Sequence, residues 1–349
     1  MKTIDLKKEL KAFYIEPIHK EWQDEYVGFL PDIDLFKSPA LLIKKGLSND
    51  FKVIAAVNSS EELIFTDSLL SVTDKEGNNL EILRNILGLL YNRLFSYYIV
   101  ISGSSTGTER EQSHDDEKFD FPYVYHKEIV SYIKKIEENR MKYYHLLSPL
   151  PGTILDPKKD KEIRILEKEF TSLAKGLDAL MYGIFELSSQ EKALIDYVMD
   201  VTIPLITRKD NKKLFKETPE ETLEQYAQLF IKHFKKYFSG PDNYFSVEIH
   251  VNKYVVGMNF IVTDTKPGGD ICWKEDEDHI KVVENLTNLN FSEVSNRIFI
   301  RKDIKGFEKN SFYVIKPNQY KLWHKAIAYL DLNEFSNAVL DAGRRKFLE

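Results

Sequence analysis

Ile163-Arg164-Ile165-Leu166-Glu167-Lys168-Glu169-Phe170-Thr171-Ser172-Leu173-Ala174-Lys175-Gly176-Leu177-Asp178-Ala179-Leu180-Met181-Tyr182-Gly183-Ile184 carries the strongest periodic signal in the chain. Ile163, Leu166, Phe170, Leu173, Leu177, Leu180 and Ile184 recur at alternating steps of three and four. That spacing puts them on one stripe of a helix, as in a coiled-coil seam. The preceding segment offers a matching stripe of Ile129, Ile133, Ile136, Arg140, Tyr143 and Leu147. Between the two lie Ser148-Pro149-Leu150-Pro151-Gly152 and Asp156-Pro157, which end one helix and reverse the chain. The pattern predicts an antiparallel helical hairpin. Such a rod either packs inside one molecule or clamps a partner helix. Ile163, Leu166, Phe170, Leu173 and Leu177 are its candidate partner interface.

Outward from this hairpin the periodicity changes. A third helix is predicted from Ser188-Ser189-Gln190-Glu191, a capping-box pattern, ending before Pro204. Towards the N-terminus, Ala40–Ile43, Phe51–Val57 and Leu63–Val72 read as strands separated by turn-forming residues. Leu80 to Tyr98 then reads as one helix, and Glu109 to Asp120 as an acidic loop with little to bury. Towards the C-terminus, Thr218-Pro219-Glu220-Glu221 predicts a helix capped by Thr218. Strands are expected at 245–251, 254–262, 297–300 and 312–315. Helices are expected at 278–289 and 318–342, the last closed by Gly343. The expected fold class is α+β: a strand-rich unit (1–126), a helical spacer (127–206) and a small α+β domain (207–349).

Composition narrows the function classes. The 349 residues are 43% apolar and 30% charged, the balance of a globular protein. Cys272 is the only cysteine, so neither an internal disulfide nor a cysteine zinc site can form, and a cytoplasmic location is expected. A net charge of -6 opposes unassisted, charge-driven DNA binding, which needs Lys and Arg to displace counterions. Two basic stretches, Arg208–Lys216 and Arg301–Lys325, stand out against that background as either solvated faces or DNA-facing patches.

The chemistry-bearing motifs are missing. There is no Gly-Lys-Ser/Thr phosphate loop and no Gly-x-Ser-x-Gly. Neither a glycine-rich methyl-donor turn nor an Asn-Pro-Pro-aromatic motif occurs. The histidines are scattered, so no metal site is expected. Asp242, Glu248 and Lys253 sketch a metal-dependent nuclease, but the lysine expected two residues after Glu248 is His250. The chain therefore reads as non-catalytic.

Phe36-Lys37-Ser38-Pro39-Ala40-Leu41-Leu42-Ile43-Lys44-Lys45-Gly46, the run Ile82 to Tyr98, the loop from Ser102 to Gln112, Phe121-Pro122 and the helix end Leu177 to Lys192 occur in a meaningful order. In that order they resemble the target-recognition (specificity) domain of TaqI-type and type IIG adenine-N6 DNA methyltransferases. In fused relatives a catalytic domain precedes this unit, whereas here it opens close to Met1. The resemblance therefore implies a separate specificity subunit of a split restriction-modification or phage-defence system. S-adenosylmethionine would belong to the partner methyltransferase, and this chain would hold no cofactor. The implied partners are that methyltransferase and double-stranded DNA, with no membrane involved. The implied DNA-binding residues are Lys44, Lys45, Lys52, Ser104, Ser105, Thr106, Thr108 and Arg110. The rival reading is a protein-binding adaptor or regulatory subunit that never touches DNA.

Overall fold

A computed structural model describes residues 2–3, 10–15, 36–48, 50–59, 63–65, 68–74, 79–103, 115–147, 157–207, 211–275 and 303–348. The fold is mixed α+β, and the chain divides into two compact units, residues 1–199 and 200–349. The helices expected as a spacer therefore fall mostly within the first unit.

Unit 1 is built on β4 (Ala40–Lys44), which pairs antiparallel with β5 (Ala55–Asn58) on one side and β7 (Leu69–Val72) on the other. The short strands β1 (Lys2–Thr3) and β6 (Leu63–Ile64) pair in parallel, and β2 (Leu10–Lys11) pairs with β3 (Tyr14–Ile15). Ala40-Leu41-Leu42-Ile43 is apolar throughout because both faces of β4 are covered. Ala40 and Leu42 join Leu10, Ala56, Leu63 and Leu69, while Leu41 and Ile43 are equally buried on the opposite face.

Helix α1 (Leu80–Leu90) lies on β4 and β5. The single helix expected from Leu80 to Tyr98 is in fact two, because Asn92 interrupts it and starts α2 (Arg93–Ser102). Asn92 Nδ2 donates to the carbonyls of Gly88 and Leu89, closing α1, while its Oδ1 accepts the Phe95 amide, opening α2. Part of the acidic stretch also differs from expectation. Residues 115–119 form α3 (Asp115–Phe119), because Lys118 is drawn into the protein and donates to the Lys45 carbonyl at 3.1 Å.

The predicted hairpin is α4 (Lys127–Leu147) followed by α5 (Pro157–Ile184). Asn139 bonds the Leu166 carbonyl, whereas Tyr132 lies against Gly176, so the two helices run antiparallel. Arg140 fits the apolar stripe because its guanidinium lies 4.3 Å over Tyr143 and 4.0 Å over Phe170 while reaching Glu167. α6 (Ser189–Tyr197) begins with the full capping box, Ser188 and Glu191 each bonding the other's backbone. A widened turn at Val198–Thr202 follows.

In unit 2, α7 (Ile203–Thr207) and a 3₁₀ turn (Asn211–Phe215) precede α8 (Glu220–Phe238). The sheet is ordered β10 (Ile271–Glu275), β8 (Tyr244–Val251), β9 (Val255–Thr263), β12 (Ser311–Pro317) and β11 (Ile304–Phe307). β10 runs parallel to β8 and the other pairs are antiparallel. One face carries Phe245, Val247, Ile249, Met258, Phe260, Phe312 and Val314, packed against Leu223, Tyr226, Phe230 and Phe234 of α8. The final helix is broken at His324 into α9 (Tyr320–Trp323) and α10 (Lys325–Leu348), and it continues past Gly343. The expected elements at 278–289 and 297–300 lie outside the described residues.

Candidate nucleic-acid interface

Three of the expected DNA-contacting residues, Lys44, Lys45 and Lys52, share the connection between β4 and β5. The Lys44 amide donates to the Ile54 carbonyl at 2.9 Å, and the Ser48 amide to the Lys52 carbonyl at 2.8 Å. The two arms of this connection therefore run side by side. At its tip Phe51 holds a left-handed backbone (φ 57°) with its ring buried. That conformation costs a side-chain-bearing residue about 1 kcal/mol or more, and the buried ring anchors it.

The three lysines differ in what they can offer an anion. Lys45 is exposed, and its carbonyl is held by Lys118. Lys44 is half-buried, and burial pulls its ammonium below the usual lysine range. Lys52 forms an ion pair with Asp50 at 3.2 Å. Burial pushes the Asp50 carboxyl up, but hydrogen bonds from Ser48 and the charge of Lys52 outweigh it and hold the carboxyl low. Lys52 thus brings little net charge to the surface. Ser104, Ser105, Thr106, Thr108 and Arg110 lie outside the described residues.

The seam of α5 is used inside the molecule. Leu166 and Leu177 are buried within unit 1, and Phe170 packs against Arg140, Phe13 and Tyr91. Ile163 and Leu173 are partly buried. A partner helix laid along α5 would meet its other face, which carries exposed Ile165.

Only part of the basic stretch Arg301–Lys325 faces solvent: Lys309 and Lys325 are exposed, whereas two of its other lysines turn inward. Lys305 and Lys316 converge on the buried Asp331. Lys305 Nζ lies 2.6 Å from Oδ1, Lys316 bonds Oδ2, and the Tyr226 hydroxyl donates to Oδ2 at 2.5 Å. Burial works against each charge. The two ammonium groups nevertheless keep the Asp331 carboxyl below its ordinary value. Lys321 lies 4.0 Å over the Phe215 ring. Arg301 and Lys302 fall outside the described residues. Of the other stretch, Lys212, Lys213 and Lys216 are exposed, and Arg208 and Lys209 are not described.

Sequence reasoning missed the polar groups that tie unit 1 together. Asn85, buried on α1, donates to the Val124 carbonyl and accepts the His126 amide. Asp178 accepts the Arg93 amide. Phe121 packs between α2 and the end of α5, its ring edge-on to Phe95 at 5.3 Å and tilted against Phe185 at 5.6 Å. Polar residues inside apolar runs, such as Asn85 and Asn92, were the available signal. Among the described residues no group of three or more His, Cys, Asp or Glu could hold a metal ion. No helix among them is long and apolar enough to cross a membrane.

Comparison with family models, with curated proteins and with solved structures gives no match.

Proposed function

We propose that the chain is a DNA sequence-specificity subunit. It directs a separate adenine-N6 DNA methyltransferase, in a restriction-modification or phage-defence system, to its target. One observation carries this reading beyond sequence likeness. The entry strand, the paired helices, the Phe121-Pro122 step and the end of α5 lie far apart in sequence yet are joined within unit 1. Phe121 meets Phe95 and Phe185, Asp178 holds Arg93, and α1 lies on β4. A recognition module needs such a rigid body beneath its loops, since base readout depends on loops held in register with the groove. The lysines of the β4–β5 connection would hold phosphates, and the loop from Ser104 to Arg110 would approach base edges. Methyl transfer would belong to the partner, which would bind S-adenosylmethionine.

The test is co-expression with an adenine methyltransferase that lacks a recognition domain, followed by footprinting. Protection and methylation of one sequence, present only when both chains are present, is the expected result. Methyl transfer or cleavage by this chain alone would overturn the reading.

The adaptor reading draws on the Asp50–Lys52 pair and the net charge of -6, both of which weaken attraction to phosphate. A stable complex with the methyltransferase that leaves its footprint unchanged would favour it.

A further inference from the structure

We infer that the surface of unit 2 around the recess between Phe215 and Tyr254 binds single-stranded nucleic acid. Three segments distant in sequence meet there: the 3₁₀ turn (Asn211–Phe215), the turn between β8 and β9 (252–254) and the start of α9. Hydrogen bonds pin them together. The Tyr320 amide donates to the Lys216 carbonyl at 3.2 Å, and the Asn318 amide to the Tyr254 carbonyl at 2.8 Å. Asn318 Nδ2 donates to the Asn252 carbonyl at 2.9 Å.

Two aromatic rings on this frame are left in water. Leu214 is fully buried and anchors the 3₁₀ turn, whereas the adjacent Phe215 is 48% exposed. Tyr254, on the β8–β9 turn, is 62% exposed. Both border the same recess of about 500 Å³. Large rings exposed together mark an interaction site rather than a core. The charge around them is one-sided. Lys212, Lys213, Lys216 and Lys253 are exposed, and Lys321 is half-buried with its ammonium 4.0 Å over the Phe215 ring. The Lys253 ammonium lies 5.7 Å over the Tyr254 ring. Among the described residues none of these five ammonium groups is paired with a carboxylate. Glu217 also borders the recess, and Glu220 and Glu221 lie beyond it at the start of α8.

In a chain of net charge -6, five unpaired lysines on one surface select a polyanion. The rings choose among polyanions. A duplex keeps its base faces stacked inside, out of reach of Phe215 and Tyr254. A single strand offers a base face to each ring while its phosphates meet the lysines. An anionic lipid surface would draw the rings into hydrocarbon, and the ammonium group seated over each ring opposes that. The three glutamates keep phosphates off the start of α8 and towards Lys216, Lys321 and the 3₁₀ turn.

The test uses the full chain with no methyltransferase present. Fluorescence anisotropy across a salt series is run with labelled oligothymidylate and oligouridylate of about 12 nucleotides, and with the corresponding DNA duplex. Vesicles of phosphatidylserine and phosphatidylcholine are tested by flotation. Single strands are expected to bind about tenfold or more tighter than the duplex, with log affinity falling against log salt by about 0.7 per phosphate contacted. The two oligonucleotides separate DNA from RNA as the natural strand. Phe215→Ala and Tyr254→Ala should each weaken binding about fivefold or more at an unchanged salt slope. Lys216→Met and Lys253→Met should each lower the slope by about 0.7, and Glu217→Gln should strengthen binding. All five positions are exposed, so these variants fold. Lys309→Met, exposed before the far end of β12, should change neither affinity nor slope. No binding of single strands, a duplex or vesicles bound as tightly, or parent affinity in both Phe215→Ala and Tyr254→Ala overturns the inference. The surface lies wholly in unit 2 and uses none of the residues proposed to meet DNA in unit 1.

Discussion

The Asp178 carboxylate accepts the backbone amide of Arg93 at 2.8 Å, joining the middle of the chain to the start of α2. Burial raises the Asp178 carboxyl from 3.8 to about 6, against the pull of the Arg93 amide and guanidinium. A carboxyl raised on folding binds its proton more tightly in the folded state. Its contribution is therefore most favourable below pH 3.8, declines as pH rises through about 6, and is a cost at neutral pH.

Asp178→Asn keeps an oxygen acceptor for Arg93 and removes the charge. It should raise the stability of unit 1 at pH 7 to 8 by up to roughly 3 kcal/mol and have little effect near pH 4. Asp178→Ala loses the acceptor and should destabilise at both. Urea melts across that range check this, and a pH-independent effect of Asp178→Asn would refute the assignment.

Gly88 sets the distance between α1 and α4. A Cβ at this position would sit 2.3 Å from Ile129 Cγ2 and 3.2 Å from Ile133 Cγ1, both in fully buried side chains. Ala favours a helix over Gly by about 1 kcal/mol, but overpacking of about 1 to 3 kcal/mol or more opposes it. Gly88→Ala should therefore lower stability. In the Ile129→Ala background the same change should cost less or become favourable. Additive effects in a double-mutant cycle would show that position 88 and Ile129 are not in contact.

The Asp331 cluster lets the sign of a buried ion pair be tested. Asp331→Ala leaves Lys316 buried without its carboxylate and should cost about 3 to 5 kcal/mol. Lys316→Met should cost less, because Lys305 and Tyr226 still satisfy Asp331. Since the folded state depresses the Asp331 carboxyl, its contribution is present above pH 3.8 and is lost as pH falls through the lower folded value. Denaturant midpoints of unit 2 between pH 2 and 7 should show that acid loss in the parent and not in Asp331→Ala.

The sequence conveyed what depends on local periodicity. The α4–α5 hairpin, the Ser188 capping box and the apolar strand β4 all follow from spacings within a few turns or residues. What escaped depends on partners distant in sequence. β10 pairs in parallel with β8 and β11 with β12, and neither strand has strong alternation of its own. The break at Asn92 was hidden because apolar residues keep helical spacing across it. Thr218 looks like a cap, yet its hydroxyl caps nothing and the N-cap is Pro219; the Thr218 amide instead donates to Asn318 Oδ1, a hundred residues away. Lys44, Lys45 and Lys52 were named only through the resemblance, and the pairing of Lys52 with Asp50 needed the turn geometry.

That difference among the lysines gives the sharpest test of the DNA reading. In the complex with the methyltransferase, Lys45→Ala should weaken DNA binding and lower the slope of log affinity against log salt by about 0.9, the release of one phosphate counterion. Lys44→Ala should do the same to a smaller extent, because Lys44 is half-buried. Lys52→Ala should weaken binding by leaving the Asp50 carboxylate uncompensated beside the phosphates, but with little change in salt slope because Lys52 is already paired, whereas Asp50→Asn should strengthen binding by freeing Lys52. Arg110→Ala should relax sequence preference without a matching change in salt slope if its role is base readout. Fluorescence anisotropy across a salt series separates these outcomes. Salt slopes equal to the parent's in all four variants at positions 44, 45, 50 and 52 would remove the β4–β5 connection from the DNA interface.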